Sequence, residues 1–138
     1  MLFELATPTR LLVSSEVDEV VAPGSEGYFG VLPGHAPFLT TLTAGELTYR
    51  HGREEEHLAV IGGFAEVSGD HVIILAEAAE RPEEIDRARA AQAKQRAEQR
   101  LAGRTPTASS EDIDYTRALA ALARALARLQ VVSHSVHA

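Results

Sequence analysis

The sequence predicts a β-plus-α chain: an antiparallel β-sandwich or barrel over residues 1–80, followed by an antiparallel two-helix hairpin over residues 81–138. Three observations predict it. Up to about residue 78, polar and apolar residues alternate or gather in short branched runs, as half-buried and buried strands require. Turn residues recur there too closely for a crossover helix to fit between strands. At Pro82 the period changes to that of a helix.

The alternation is carried by Glu16-Val17-Asp18-Glu19-Val20-Val21 and Phe64-Ala65-Glu66-Val67-Ser68, and the branched runs are Leu58 to Ile61 and Val72 to Leu75. Breaks fall at Pro23-Gly24, Pro33-Gly34, Gly45, Gly52, Gly62-Gly63 and Gly69-Asp70. Pro82-Glu83-Glu84 starts a helix, because proline fits a first turn and acids there oppose the macrodipole. Nothing interrupts that helix from Glu83 to about Ala102. Gly103 to Ser110, with Pro106 inside, is a polar loop, and Ser109 or Ser110 caps a second helix reaching about Val131. So short a loop folds the helices back on each other. On the second helix Leu119, Leu122, Leu126 and Leu129 make one seam, with Arg117, Arg124 and Arg128 on the opposite side. Ala90, Ala93, Ala97 and Leu101 line a stripe of the first. Leucines nested on alanines bury little area, so the hairpin is expected to be only marginally attached.

Composition sets the limits. Apolar residues are 45% of the chain, enough for a core, but only 5% are aromatic. There is no cysteine, which excludes disulfides and thiolate metal sites. The start, Met1-Leu2-Phe3-Glu4, has no basic n-region, and no apolar run approaches bilayer length, so the chain is expected to be soluble and to meet a membrane only through a partner. Residues 1–80 carry 13 acidic and 3 basic side chains, and residues 81–138 carry 7 and 10. An acidic first half argues against nucleic acid, whose phosphates demand clustered Lys and Arg. A basic second half suits an acidic protein surface or a phosphorylated ligand, or is simply a solvated helical face.

The segment Gly24-Ser25-Glu26-Gly27-Tyr28-Phe29-Gly30-Val31-Leu32-Pro33-Gly34-His35-Ala36-Pro37-Phe38-Leu39-Thr40 resembles the signature of the ATP synthase epsilon family. The likeness continues through Gly62-Gly63-Phe64-Ala65-Glu66-Val67, Ile113-Asp114-Tyr115 and Arg124-Ala125-Leu126-Ala127-Arg128-Leu129, in order along almost the whole chain. The resemblance implies a ten-stranded β-sandwich followed by two helices, and a non-catalytic rotor-stalk chain of the F-type enzyme. It implies that the sandwich binds the gamma subunit and the c-ring and turns with them. It also implies a hairpin that lies folded on the sandwich, or extends along gamma into the alpha/beta catalytic head and restrains ATP hydrolysis. The place implied is the cytoplasmic face of the cell membrane, held there by the complex.

Two sets of residues follow as candidates. Glu26, Gly27, Tyr28, Gly34 and His35 fall on the loop that the resemblance assigns to the c-ring and the foot of gamma. Some family members place an acid at the position of Tyr28, and here Glu26 is the substitute. The glycines permit tight turns and close approach, and Tyr28 and His35 are side chains of the kind enriched at interfaces. The second set is a nucleotide site. Ile85-Asp86-Arg87-Ala88-Arg89-Ala90 matches the family motif Ile/Leu-Asp-x-x-Arg-Ala, found in members that bind ATP on the folded hairpin, and Glu80, Arg96, Arg124 and Arg128 fall where those members place supporting residues. Ile85, Arg89 and Arg96 are expected on one face of the first helix, and Arg124 and Arg128 on one face of the second. An apolar side chain for adenine, a carboxylate for its amino group and guanidinium forks for phosphates form a coherent site, with ATP as a regulatory ligand and no catalytic cofactor. The ordinary alternative for such arginines is solvation or weak i,i+4 pairing.

Catalysis finds no support. There is no GxxxxGK[ST] loop and no serine in a nucleophile elbow, and Glu54-Glu55-Glu56 is expected in an exposed hairpin turn. His35, His51, His57, His71, His134 and His137 show no zinc-ligand spacing along the chain. The rival to the stalk reading is a stand-alone β-sandwich binding module with a helical oligomerisation tail. It lacks the aromatic platform such modules use, with only Tyr28, Tyr49, Tyr115 and four Phe.

Overall fold

A computed structural model of the chain describes the backbone of residues 1–103 and 109–135, and the side chains of residues 1–103 and 114–134. Among these residues ten strands come first: β1 (Leu2–Ala6), β2 (Leu11–Glu16), β3 (Glu19–Gly24), β4 (Gly27–Val31), β5 (Phe38–Thr41), β6 (Gly45–His51), β7 (Glu54–Ile61), β8 (Phe64–Ser68), β9 (His71–Leu75) and β10 (Ala78–Glu80). A 3₁₀ turn at Pro82–Glu84 leads to helix α1 (Arg87–Ala102) and helix α2 (Ser109–Ser135). The strands form two five-stranded sheets, ordered β2-β1-β9-β8-β5 and β10-β7-β6-β3-β4. They are called here the first and second sheet. The architecture is the expected sandwich, and every strand pairing is antiparallel except β1 with β9, which run parallel.

Alternation explains the core. In the second sheet Val20 lies opposite Tyr49, and Leu47 opposite Leu58. In the first, Ala65 lies opposite Ile74, and Val67 opposite Val72. With Phe3, Leu5, Val31 and Val60 these side chains close one cluster between the sheets. Burying each of the larger ones contributes about 1.5–3 kcal/mol. This cluster ends at Ala79, so no helical residue belongs to it. The hairpin instead lies outside, with α2 across β6 and β7 and α1 packed on α2. Ala59, on the outward side of β7, is completely buried although it is absent from the sandwich cluster.

The structure changes several local expectations. Glu16 to Val21 is not one strand: β2 ends at Glu16, β3 starts at Glu19, and Val17 turns into the core between them. Glu54 to Glu56 are exposed as expected but begin β7, since the turn is made at Gly52, with φ +63°. Helix α1 starts at Arg87 rather than Glu83. Glu84 closes the 3₁₀ turn by accepting the Arg81 backbone N–H at 2.8 Å, and Asp86 then caps α1 by accepting the Arg89 N–H at 3.0 Å. Helix α2 continues past Val131 to Ser135, held by Val131, which is fully buried. The leucine seam is also corrected. Leu119 and Leu126 are each 44% exposed, while Ala118, Ala125 and Ala127 are buried. On α1 the alanine stripe is confirmed at Ala90 and Ala97. Apart from Val131 the buried positions are alanines, Leu119 and Leu126 are left towards solvent, and Leu122 and Leu129 are half-buried. Of the expected loop from Gly103 to Ser110, Ser109 and Ser110 belong to α2 instead, and residues 104–108 lie outside the described residues, as do the side chains of Ser109, Ser110 and Ile113, and His137.

Candidate functional site

Where β10, the 3₁₀ turn and both helices meet, a cleft of about 440 Å³ opens. Its walls include Glu80 from β10, Asp86, Arg89, Ala90 and Arg96 from the start and body of α1, and Arg124 and Arg128 from α2. These are seven of the eight residues expected in a nucleotide site. Ile85 is the exception. It follows the 3₁₀ turn in extended conformation, with φ −86° and ψ 125°, so it shares no helical face with Arg89 and does not line the cleft. Sequence reasoning also missed Glu84, Ala93 and Ala121, which complete the lining. Ala93 and Ala121 could have been found as the small residues facing the arginines across the hairpin.

Charge in the cleft is partly committed. Arg128 Nε donates to Glu80 Oε1 at 2.5 Å, joining α2 to the last strand of the sandwich. Glu84 accepts two bonds from Arg10, at 2.7 and 2.9 Å, in the forked geometry that favours arginine–carboxylate pairs. Asp86 is occupied as the cap of α1. Among the described residues Arg89, Arg96 and Arg124 form no ion pair. Three uncommitted guanidiniums thus face a cavity whose three carboxylates are already engaged. Such a cleft suits a polyanion of nucleotide size.

The Arg10 guanidinium, with the Arg81 backbone N–H, holds the Glu84 carboxyl well below its ordinary 4.5, at about 2. A folded-state pKa below the unfolded one stabilises the fold above the unfolded value, and that contribution is lost as pH falls through the folded value. The stabilisation from the Arg10–Glu84 tie is therefore expected to be full above pH 4.5 and to be lost as pH falls from there through about 2, where Glu84 itself takes up its proton. A carbon-detected NMR titration of Glu84 checks this, and a midpoint close to 4.5 contradicts it.

The other candidate set is spread along one edge. Glu26 and Gly27 make the turn into β4, Tyr28 stands on that strand, and Gly34 and His35 lie in the connection to β5. The structure does not gather the five at one point: Gly27 and Gly34 flank opposite ends of β4. Both glycines need their special backbone, with φ +128° and +85°. Tyr28 exposes 57% of its surface, while its hydroxyl accepts the Glu46 backbone N–H at 3.1 Å. His35 bonds locally through Nδ1 to the Ala36 carbonyl at 2.6 Å, and its ring sits near Phe38. Leu32, Phe38 and Leu39 are exposed beside them. β4 and β5 each lie at an edge of their sheet and are joined at one corner, where the Thr41 carbonyl accepts the Ser25 N–H at 2.9 Å, so this side of the sandwich shows apolar side chains beside strand edges.

Two family models match residues 1–133 between them. Residues 1–82 match the beta-sandwich domain of the ATP synthase Delta/Epsilon chain, and residues 83–133 match its long alpha-helix domain. The ATP synthase epsilon chain of Nitratidesulfovibrio vulgaris is 54% identical over 128 residues, covering 93% of this chain and 92% of the relative. That of Geobacter metallireducens is 52% identical over 132 residues, covering 96% and 93%. Among solved structures, a chain of the Euglena gracilis mitochondrial ATP synthase, from its OSCP/F1/c-ring assembly, superimposes with a TM-score of 0.76 at 25% identity, covering 98% of this chain and 80% of the other. No helix among the described residues is long and apolar enough to cross a membrane.

Proposed function

The chain belongs to the delta/epsilon-chain family of ATP synthase, among its epsilon members, and from that premise we propose a rotor-stalk subunit whose hairpin restrains ATP hydrolysis and senses ATP. It is a non-catalytic chain of the complex. The sandwich would bind gamma and the c-ring through the β4–β5 edge, where exposed Tyr28, Leu32, Phe38 and Leu39 offer the apolar contact. The helices would reach the alpha/beta head when they extend, and the chain would meet the membrane only through the complex, at its cytoplasmic face.

One observation carries the regulatory part. The cleft draws its walls from β10, α1 and α2 at once. It exists only while the hairpin is folded against the sandwich, so a ligand held by Arg89, Arg96 and Arg124 binds that arrangement alone. ATP at one hundred times its Kd would then stabilise the folded form by about 2.7 kcal/mol. The opposing interface is thin: among the described residues, the buried apolar residues of the helices are alanines and Val131. A few kcal/mol decides such an equilibrium. In the extended form the basic helices would face acidic surfaces of the catalytic head.

Truncation tests this reading. Deleting residues 81–138 leaves the sandwich cluster whole, because that cluster ends at Ala79. The truncated chain is expected to bind gamma with unchanged affinity and to raise the ATP hydrolysis rate of the reconstituted complex severalfold. A truncated complex that hydrolyses at the full-length rate rejects the inhibitory role.

A further inference from the structure

Glu46 stands out on the outward face of β6. It is the buried charged side chain among the described residues, 6% exposed, and α2 covers it. A lone buried carboxylate is costly unless it is paired. Here three side chains converge on it. His57 of β7 brings Nδ1 to 3.1 Å, His134 of α2 brings Nδ1 to 2.6 Å, and Gln130, one turn before His134, donates at 3.3 Å. The ligand-type atoms of Glu46, His57 and His134 all lie within 4.8 Å of one another. Linear spacing gave no hint, since Glu46 is 11 residues from His57 and 88 from His134.

The second ring nitrogen of His57 is informative. Its Nε2 lies 3.4 Å from Glu55 Oε1, so the imidazole meets a carboxylate at each nitrogen. A neutral imidazole has one N–H to offer two carboxylates. If Glu55 takes it, the Nδ1 lone pair and the Glu46 oxygen face each other with nothing positive between them. A divalent cation removes that conflict. A carboxylate behind the far nitrogen of a metal-bound imidazole is also the usual outer partner of such ligands.

We propose that Glu46, His57 and His134 form a binding site for a first-row transition metal of the zinc class, tying the end of α2 to β6 and β7. Two imidazoles and one carboxylate are a donor set for Zn²⁺, Ni²⁺ or Cu²⁺ rather than for Mg²⁺ or Ca²⁺. Rotation of the half-exposed His134 brings the three donors around one ion at about 2.0–2.2 Å each and leaves a position for water. Exposure of His134 provides the path in. The nucleotide cleft uses Arg124 and Arg128, and this site uses the turns beyond them, so the metal would hold the hairpin folded without nucleotide.

Calorimetric titration of the metal-stripped full chain with ZnCl₂ tests the proposal. One equivalent is expected to bind with a saturable isotherm, and Co²⁺ in its place is expected to give visible d–d bands. His57→Gln and His134→Gln should each weaken binding at least tenfold, whereas His71→Gln, on the other sheet, should not. Hydrogen exchange should slow in residues 126–134 when Zn²⁺ is added. Absence of saturable binding, or binding that survives both His57→Gln and His134→Gln, overturns the site. Binding without slower exchange in α2 overturns the tie. Far-UV spectra of the variants confirm that they are folded, and an Arg124→Ala chain that still binds Zn²⁺ separates this site from the nucleotide reading.

Discussion

Alanine at Arg124 is expected to weaken ATP binding to the isolated chain by about ten- to a hundredfold. Arg124 lines the cleft and forms no ion pair among the described residues, so its guanidinium is available to a phosphate without first leaving a carboxylate. A charge-assisted hydrogen bond contributes about 1.5–3 kcal/mol, and each 1.4 kcal/mol is tenfold in affinity. Arg89→Ala should behave alike, because Arg89 faces the same space from α1. Arg124→Lys should fall between, since it keeps the charge and loses the planar fork. Arg128 is a poorer probe: its removal would also strip Glu80 of its partner at 2.5 Å and loosen the hairpin. Titration calorimetry measures all of these directly. Wild type, Arg89→Ala and Arg124→Ala giving the same heats would remove nucleotide from the cleft.

The largest effect on stability is expected from Gly63→Ala. Gly63 sits at φ +107°, where the chain passes from β7 in one sheet to β8 in the other. A Cβ there would lie 2.7 Å from Ala76 Cα and closer still to the Leu75 carbonyl oxygen, so the crossing is filled by backbone that cannot move aside. Its own carbonyl accepts the Leu42 N–H at 2.8 Å, which ties the β5–β6 connection to the same corner. Forced left-handed backbone costs about 1–3 kcal/mol, and overpacking about as much again. Denaturant unfolding of Gly63→Ala should therefore show a loss of about 3 kcal/mol or more. Gly52→Ala is the control: φ is +63° but the space is open, so only the backbone strain remains. Equal losses for the two variants would show that crowding at the crossing is unimportant.

Much of this was legible from residue order, and each failure has its own physical cause. Strands announced themselves where one face is buried and the next is wet, as from Phe64 to Ser68. Glu16 to Val21 misled because alternation ran straight through a turn, with Val17 buried at the corner. The arginines of the cleft were legible because a helix places Arg124 and Arg128, four apart, on one side. Ile85 was misplaced because a 3₁₀ turn and a capping aspartate consume the residues that periodicity assigned to a helix. The leucine seam failed for another reason. Spacing identifies a stripe but not which of two stripes meets the partner, and here close packing of Ala118 and Ala125 won. Glu46 was invisible: an acid on the outward side of a strand reads as solvated, and only the covering helix makes it buried.

If the hairpin extends as proposed, its alanine face has a consequence for how it would let go. Peeling α2 from β6 and β7 would uncover alanine methyls, Val131 and the Glu46 carboxylate, whereas Leu119 and Leu126 are on show beforehand. Departure thus adds little stickiness to what the molecule already displays, and the oily ridge needs no prior unmasking. A newcomer could then grip those leucines first and pull second, a handover in which the chain would never be left without a hold.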